Sequence, residues 1–289
     1  MTISTEALAG PTSFDELGVA PDLAHTLERI GITRPTPIQT LTIPDGLAGR
    51  DVCGKAQTGS GKTLAFGIPL VELATTAQPG RPSSLVLVPT RELCAQVTEE
   101  LANLAASRRL RFSTVYGGVS MRRQIDRLRA GVEVLVATPG RLIDLLDRKL
   151  VALDDVVRVV IDEADQMADM GFLPQVNDIM RRIPRGHQTM LFSATLDGQV
   201  RSLVRRYMTD PVRHEATTPT ELVEAQEHRF IAVHELDKVK TAAAITRTVD
   251  RTLVFVTTKR DADRVAGLLR AEGVQAASIH GDLPQRLRE

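Results

Sequence analysis

A lysine and a hydroxyl placed directly behind two glycines, in Ala56-Gln57-Thr58-Gly59-Ser60-Gly61-Lys62-Thr63, are the parts needed to hold a chain of phosphates. Gly59 and Gly61 let the backbone curl so that its N–H groups face phosphate oxygens, Lys62 reaches the β and γ phosphates, and Thr63 can ligate Mg²⁺. Further along, the apolar run Val159-Val160-Ile161 delivers Asp162-Glu163-Ala164-Asp165. Asp162 is the natural carboxylate for Mg²⁺ and Glu163 the base for an attacking water. Neither half means much alone: an Asp-Glu pair at a strand end often caps a helix, and the strict loop pattern starts with glycine where this chain has Ala56. Together they predict nucleotide hydrolysis.

These groups need a scaffold that holds strand ends side by side. The short apolar runs Ser84–Val88, Phe112–Val115, Val132–Ala137, Val157–Ile161 and Thr189–Phe192 read as strands too apolar to face water, which belong in a parallel sheet covered on both faces. Helical periodicity lies between them, with Thr90 starting Arg91–Ser107 and the Gly61-Lys62-Thr63 turn opening Leu64–Leu73. The expected fold is doubly wound α/β, whose ligands sit beyond the carboxyl ends of the strands. The motifs fall there, after Asp51–Gly54, Val88 and Ala137, at Asp162, and after Phe192.

The 289 residues are 43% hydrophobic and 25% charged, enough for roughly two domains. Lys+Arg and Asp+Glu both number 36, so there is no global field to attract a polyanion. Local attraction is another matter: residues 108 to 149 hold ten basic side chains (Arg108, Arg109, Arg111, Arg122, Arg123, Arg127, Arg129, Arg141, Arg148, Lys149) against four acids. Cys53 and Cys94 are too few for a disulfide framework and point to a reducing cytosol. No signal segment or apolar run of membrane-spanning length is visible, so a cytoplasmic protein without membrane contact is expected.

Residues 1–13 read as a tail and 14–208 as the first domain. The prolines, threonines and mixed charge of Thr209–Glu227 read as a linker. A second α/β pattern occupies 228–289, with strand Arg229–Val233, helix Asp237–Val249, strand Thr252–Val256, helix Asp261–Glu272 and strand Ala276–Ile279. Three strands make half of such a domain, and the chain is expected to be cut short.

The tetrad Asp162-Glu163-Ala164-Asp165, with Ala56–Thr63, Pro89-Thr90-Arg91-Glu92-Leu93, Gly117-Gly118, Thr138-Pro139-Gly140-Arg141 and Ser193-Ala194-Thr195, resembles the DEAD-box RNA helicases. The resemblance runs from Phe14 to the end, and seven or more motifs in family order make it specific. It implies two RecA-like domains that clamp ATP and bind single-stranded RNA, a partial second domain, and separation of short RNA duplexes coupled to ATP hydrolysis. It assigns adenine recognition to Gln39 within Gly31–Gln39, consistent with an amide that both donates and accepts, and sets Phe14 as the upstream aromatic. Ile32 stands where many members carry an aromatic. It places Thr90, Arg91, Gly117, Gly118, Thr138, Gly140 and Arg141 on the RNA backbone, contacts that carry no sequence information. Ser193 and Thr195 look like the element that hydrogen-bonds the acidic tetrad and couples nucleotide state to domain closure.

In the second segment Leu253–Thr258 resembles the fourth motif, and Gln285 with Arg288 the Gln-x-x-Arg RNA contact, which brings Thr258, Gln285 and Arg288 to RNA. The family's arginine-finger segment has no counterpart, so this chain is expected to bind ATP with Mg²⁺ yet turn it over poorly. Competing readings are a DNA-directed translocase, disfavoured by Gln39 and Ser193-Ala194-Thr195, and a nucleotide-dependent RNA clamp or assembly factor without productive turnover.

Overall fold

In the computed structural model, residues 13–196, 198–216, 229–284 and 287 are described. The chain divides into two compact units, Met1–Pro219 and Thr220–Glu289.

In the first unit the described elements run α1 (Pro21–Arg29), α2 (Pro37–Leu47), β1 (Val52–Lys55), α3 (Lys62–Glu72), β2 (Ser84–Leu87), α4 (Arg91–Glu100), α5 (Ala102–Ser107), β3 (Phe112–Val115), α6 (Met121–Arg129), β4 (Val134–Ala137), α7 (Pro139–Asp147), β5 (Arg158–Ile161), α8 (Ala164–Asp169), α9 (Leu173–Arg181), β6 (Gln188–Ser193), α10 (Gly198–Tyr207) and β7 (Val212–Glu215). The strands form one parallel sheet of seven, in the order β3-β4-β2-β5-β6-β1-β7. The expected doubly wound sheet is present.

Strand side chains alternate between two faces, and the alternation divides the core in two. Leu85, Leu87, Leu135, Val159, Ile161 and Leu191 pack with α6, α7, α8, α9 and α10 on one face. Val86, Val134, Val136, Val160, Met190 and Phe192 pack with α1, α2, α3, α4 and α5 on the other. Both faces are covered, which is why the strands are apolar throughout.

Two departures from the sequence reading have simple causes. The helix expected over Arg91–Ser107 is two helices broken at Leu101, whose backbone (φ −90°, ψ −3°) ends α4 while its side chain stays fully buried. Val212–Glu215, inside the stretch read as linker, is the edge strand β7 beside β1. An edge strand has one neighbour and half-exposed side chains, so it need not be apolar. The rest of that stretch, from residue 217 to 227, lies outside the described residues, as does most of the N-terminal tail.

The second unit contains α11 (Lys238–Thr246), preceded by a 3₁₀ turn Glu235–Asp237, and α12 (Lys259–Ala271), started by Thr258, whose Oγ1 accepts the Asp261 N–H at 3.1 Å. The first helix lies within the range expected from periodicity, and the second starts two residues before it. The three strands do not form: Arg229–Val233, Thr252–Val256 and Ala276–Ile279 carry no ladder among the described residues. Apolar character alone does not make a strand, which requires a hydrogen-bonded neighbour. Phe230 and Phe255 are 96% and 90% exposed. An open cleft of about 480 Å³ lies along α12, between Leu253–Val256 and Ala276–Ile279.

No described helix is long and apolar enough to cross a membrane. Cys53 and Cys94 are free thiols, both buried, and burial pushes both up from the ordinary thiol range.

Candidate nucleotide site and nucleic-acid face

The phosphate loop hangs between β1 and α3. The Ala56 N–H donates to the Ser193 carbonyl at 3.0 Å, extending the β1–β6 pairing into the loop. Gly59 and Gly61 then take positive φ, +82° and +91°. At Gly61 a Cβ would stand 2.5 Å from Nε2 of Gln39, so glycine is required there twice, for conformation and for space.

Gln39 is almost fully buried in α2 and spans two motifs. Its Oε1 accepts the Thr36 N–H and its Nε2 donates to the Gly61 carbonyl, both at 2.9 Å. The segment singled out for base recognition is thereby fastened to the phosphate loop. Phe14 is 3% exposed and sits with Leu17 and Val19 in the core on the α2 side, leaving Ile32 as the partly exposed apolar contact of that region.

Across from the loop, β5 ends at Ile161 and the three acids diverge. Asp162 is 4% exposed, its Oδ1 accepts the Glu163 N–H at 3.0 Å, and burial pushes its carboxyl up to about 7 against the pull of Lys62. Glu163 adopts left-handed backbone (φ 51°, ψ 50°), a conformation that costs of order 1–3 kcal/mol in a non-glycine residue and that re-aims its side chain toward the loop. Its Oε1 accepts from Lys62 Nζ at 2.7 Å and from Thr58 Oγ1 at 3.1 Å. This is an inward ion pair, with side chains only 5% and 10% exposed.

Asp165 turns the other way, toward the end of β6. Its Oδ2 accepts the N–H groups of Ala194 and Thr195 at 3.1 and 3.0 Å and the Thr195 hydroxyl at 3.4 Å, while its own N–H donates to Ser193 Oγ at 3.1 Å. Four bonds lock the acidic turn to the Ser193–Thr195 segment.

The remaining motifs gather beyond β2, β4 and β3. Thr90 caps α4 through its Oγ1, which accepts the Leu93 N–H at 3.2 Å. The Arg91 guanidinium lies over Gly118, where it would clash with any Cβ; Gly118 also has φ +80°. Thr138 starts α7, and nothing lies within 4 Å of the Cβ position at Gly117 or Gly140, so both offer open backbone. Arg141 Nη1 donates to Gln124 Oε1 at 3.0 Å and to the Val119 carbonyl at 3.4 Å, and Gln124 Nε2 donates to the Tyr116 carbonyl at 3.0 Å.

Gln124 escapes a reading based on motifs. Its signal is a polar side chain on the core-facing line of α6, between Met121 and Leu128, where only a hydrogen-bonded amide is tolerated. Of the ten basic residues between 108 and 149, Arg108 is paired with Asp22, Arg111 with Glu133 and Arg148 with Asp144. Thr258 is the exposed cap of α12 in the second unit; Gln285 and Arg288 lie outside the described residues.

Strand order sorts these motifs in space although they interleave in sequence. Ala56–Thr63, Ser193–Thr195 and Asp162–Asp165 end the neighbours β1, β6 and β5, whereas Thr90–Arg91, Thr138–Arg141 and Gly117–Gly118 end the neighbours β2, β4 and β3. With strands about 4.8 Å apart, each half is about 10 Å wide.

Such an edge, with a phosphate loop, an acidic strand end and a coupled hydroxyl segment, has the architecture of a P-loop nucleotide-binding fold. The DEAD/DEAH box helicase model matches residues 36–203, and the chain belongs to that family. It is 40% identical over 281 residues to the DEAD-box ATP-dependent RNA helicase CshA of Bacillus licheniformis, which covers 96% of this chain and 57% of the relative. The CshA proteins of Bacillus subtilis and Geobacillus kaustophilus are also 40% identical, with 56% and 60% of their lengths covered. Among solved structures, a DEAD box protein from the hyperthermophile Methanococcus jannaschii superposes with a TM-score of 0.68 at 33% identity, covering 96% of this chain and 75% of that one. The chain thus spans little more than half the length of the CshA relatives.

Proposed function

We propose that the chain is the nucleotide-binding part of an ATP-dependent RNA helicase. The convergence of Lys62, Asp162 and Glu163 at the ends of β1 and β5 carries this reading. A lysine beside a phosphate loop and two carboxylates of different environment are what in-line attack of water on a terminal phosphate needs. Asp162 with Thr63 suits Mg²⁺, which takes one or two protein oxygens and completes its shell with phosphate and water. A buried carboxylate, whose charged form burial disfavours and a cation would favour, fits that task. Bound there, Mg²⁺ would neutralise charge on the phosphates.

Each side chain then has one task. Lys62 leaves Glu163 for the phosphates, and Glu163, so released, accepts the proton of the attacking water. Gln39 favours adenine through the lone pair and N–H that remain beside its bonds to Thr36 and Gly61. Asp165 passes changes at the acidic turn to Ser193–Thr195. Thr90, Arg91, Gly117, Gly118, Thr138, Gly140 and Arg141 hold an RNA strand by its phosphates and sugars, without sequence preference. In the second unit Thr258, Gln285 and Arg288 also serve RNA. The setting is the cytoplasm.

The test is nucleotide binding followed by phosphate release. The unaltered chain should bind ATP in preference to GTP, and Lys62→Ala should not bind either. Unchanged ATP affinity in that variant would overturn the loop assignment, and equal affinity for ATP and GTP would remove Gln39 from base recognition.

A further inference from the structure

Helix α6 is charged in a way that its own stability does not explain. Its sequence, Met121-Arg122-Arg123-Gln124-Ile125-Asp126-Arg127-Leu128-Arg129, buries Gln124 and Leu128 and exposes all four arginines against one exposed carboxylate. No ion pair engages Arg122, Arg123, Arg127 or Arg129 among the described residues, although Arg108, Arg111 and Arg148 nearby in sequence are paired. The helix dipole favours cations in the last turn, which accounts for Arg127 and Arg129, but disfavours them in the first turn, where Arg122 and Arg123 stand and no acid does. Arg123 and Arg127, four apart, also repel.

The helix is held against the proposed RNA edge. Met121 follows the Gly117–Gly118 turn by three residues, and Gln124 ties the helix to the Tyr116 carbonyl and to Arg141. A strand lying on Gly117, Gly118 and Arg141 therefore leaves that edge beside the first turn of α6. Nine residues span about 13 Å, or about four phosphate spacings along one strand of a duplex. Guanidinium groups take phosphates bidentately.

We propose that the exposed face of α6 is an accessory docking surface for the phosphate backbone of the RNA duplex adjoining the bound single strand. The proposal deepens the RNA-binding reading above and rests on it. It separates two jobs: the strand-end motifs hold the single strand, and α6 holds the duplex flank.

The test replaces all four residues in the full chain (Arg122→Gln, Arg123→Gln, Arg127→Gln, Arg129→Gln), with unchanged ATP affinity reporting an intact first unit. Binding is measured at low salt to a single strand of about ten nucleotides and to the same strand extended by a duplex of about twelve base pairs. The variant should keep its single-strand affinity, lose roughly tenfold or more on the tailed duplex, and show a salt-dependence slope shallower by about three for the latter. Equal loss on both RNAs, or loss on neither, would overturn the proposal while leaving the RNA-binding reading in place. No single-strand binding by the unaltered chain would overturn both. Displacement of the tailed duplex by polyglutamate as readily as by free duplex would instead make α6 a face for an acidic protein.

Discussion

At the scale of single residues, the pair Lys62–Glu163 sets what a nucleotide must overcome to bind. Nucleotide must win Lys62 from a carboxylate 2.7 Å away. In Glu163→Gln that competitor loses its charge, so ATP affinity, titrated with a fluorescent analogue, should hold or rise while phosphate release stops. In Lys62→Ala the carboxylate stays buried without its partner, which should cost about 3–5 kcal/mol by denaturant titration. Lys62→Ala with Glu163→Ala should recover much of that loss; no recovery would mean that Glu163 is not the source. Asp162 behaves differently. Burial pushes its carboxyl up to about 7 from an ordinary value of 3.8, so the folded chain holds a proton that the unfolded chain releases. Stability from this group is therefore present at acid pH and lost as pH rises from about 4 to about 7. Asp162→Asn should remove this component, narrowing the difference in melting temperature between pH 5 and pH 8 in metal-free protein.

At the scale of elements, what a sequence reveals depends on burial. β2, β4, β5 and β6 are covered on both faces, and their apolar runs gave them away to within two residues. β7 escaped because Val212-Arg213-His214-Glu215 is a half-exposed edge with the composition of a linker. The motif residues were legible because chemistry restricts residue type. Gln124 was not, because an inward glutamine and an outward one have the same letter, and only the partners Tyr116 and Arg141 distinguish them. Gln124→Leu would strand the Tyr116 carbonyl and release Arg141, costing about 1–3 kcal/mol. RNA affinity should fall alike for all sequences, with ATP affinity unchanged. A sequence-selective effect would contradict backbone contact. Gly118→Ala, which drives a Cβ into the Arg91 guanidinium, should weaken RNA binding in the same uniform way.

At the scale of the molecule, the two units are built to different standards. The first has a seven-stranded sheet with a core on each face, whereas in the second the extended segments around Phe230, Leu253, Phe255 and Ile279 lack described strand partners and expose large apolar side chains. Hydrogen exchange should show slow amides in β2, β4, β5 and β6 and near-immediate exchange across Thr252–Val256. A fragment of residues 13–216 should bind ATP as tightly as the whole chain and remain soluble at higher concentration. A large loss of affinity would mean that the second unit takes part in nucleotide binding.

The placement of β1 has a consequence for how the protein is made. Val52 lies between Met190 and Val212, neighbours synthesised well over a hundred residues later. The strand that carries the phosphate loop is therefore among the first to leave the ribosome and among the last to find its place. Until β6 and β7 arrive, Ala56 lacks the carbonyl of Ser193, and Lys62 lacks Glu163 until β5 is in position. Affinity for nucleotide thus reports completion of the sheet, and a nascent chain halted before Gln188 should be unable to retain ATP however long it waits.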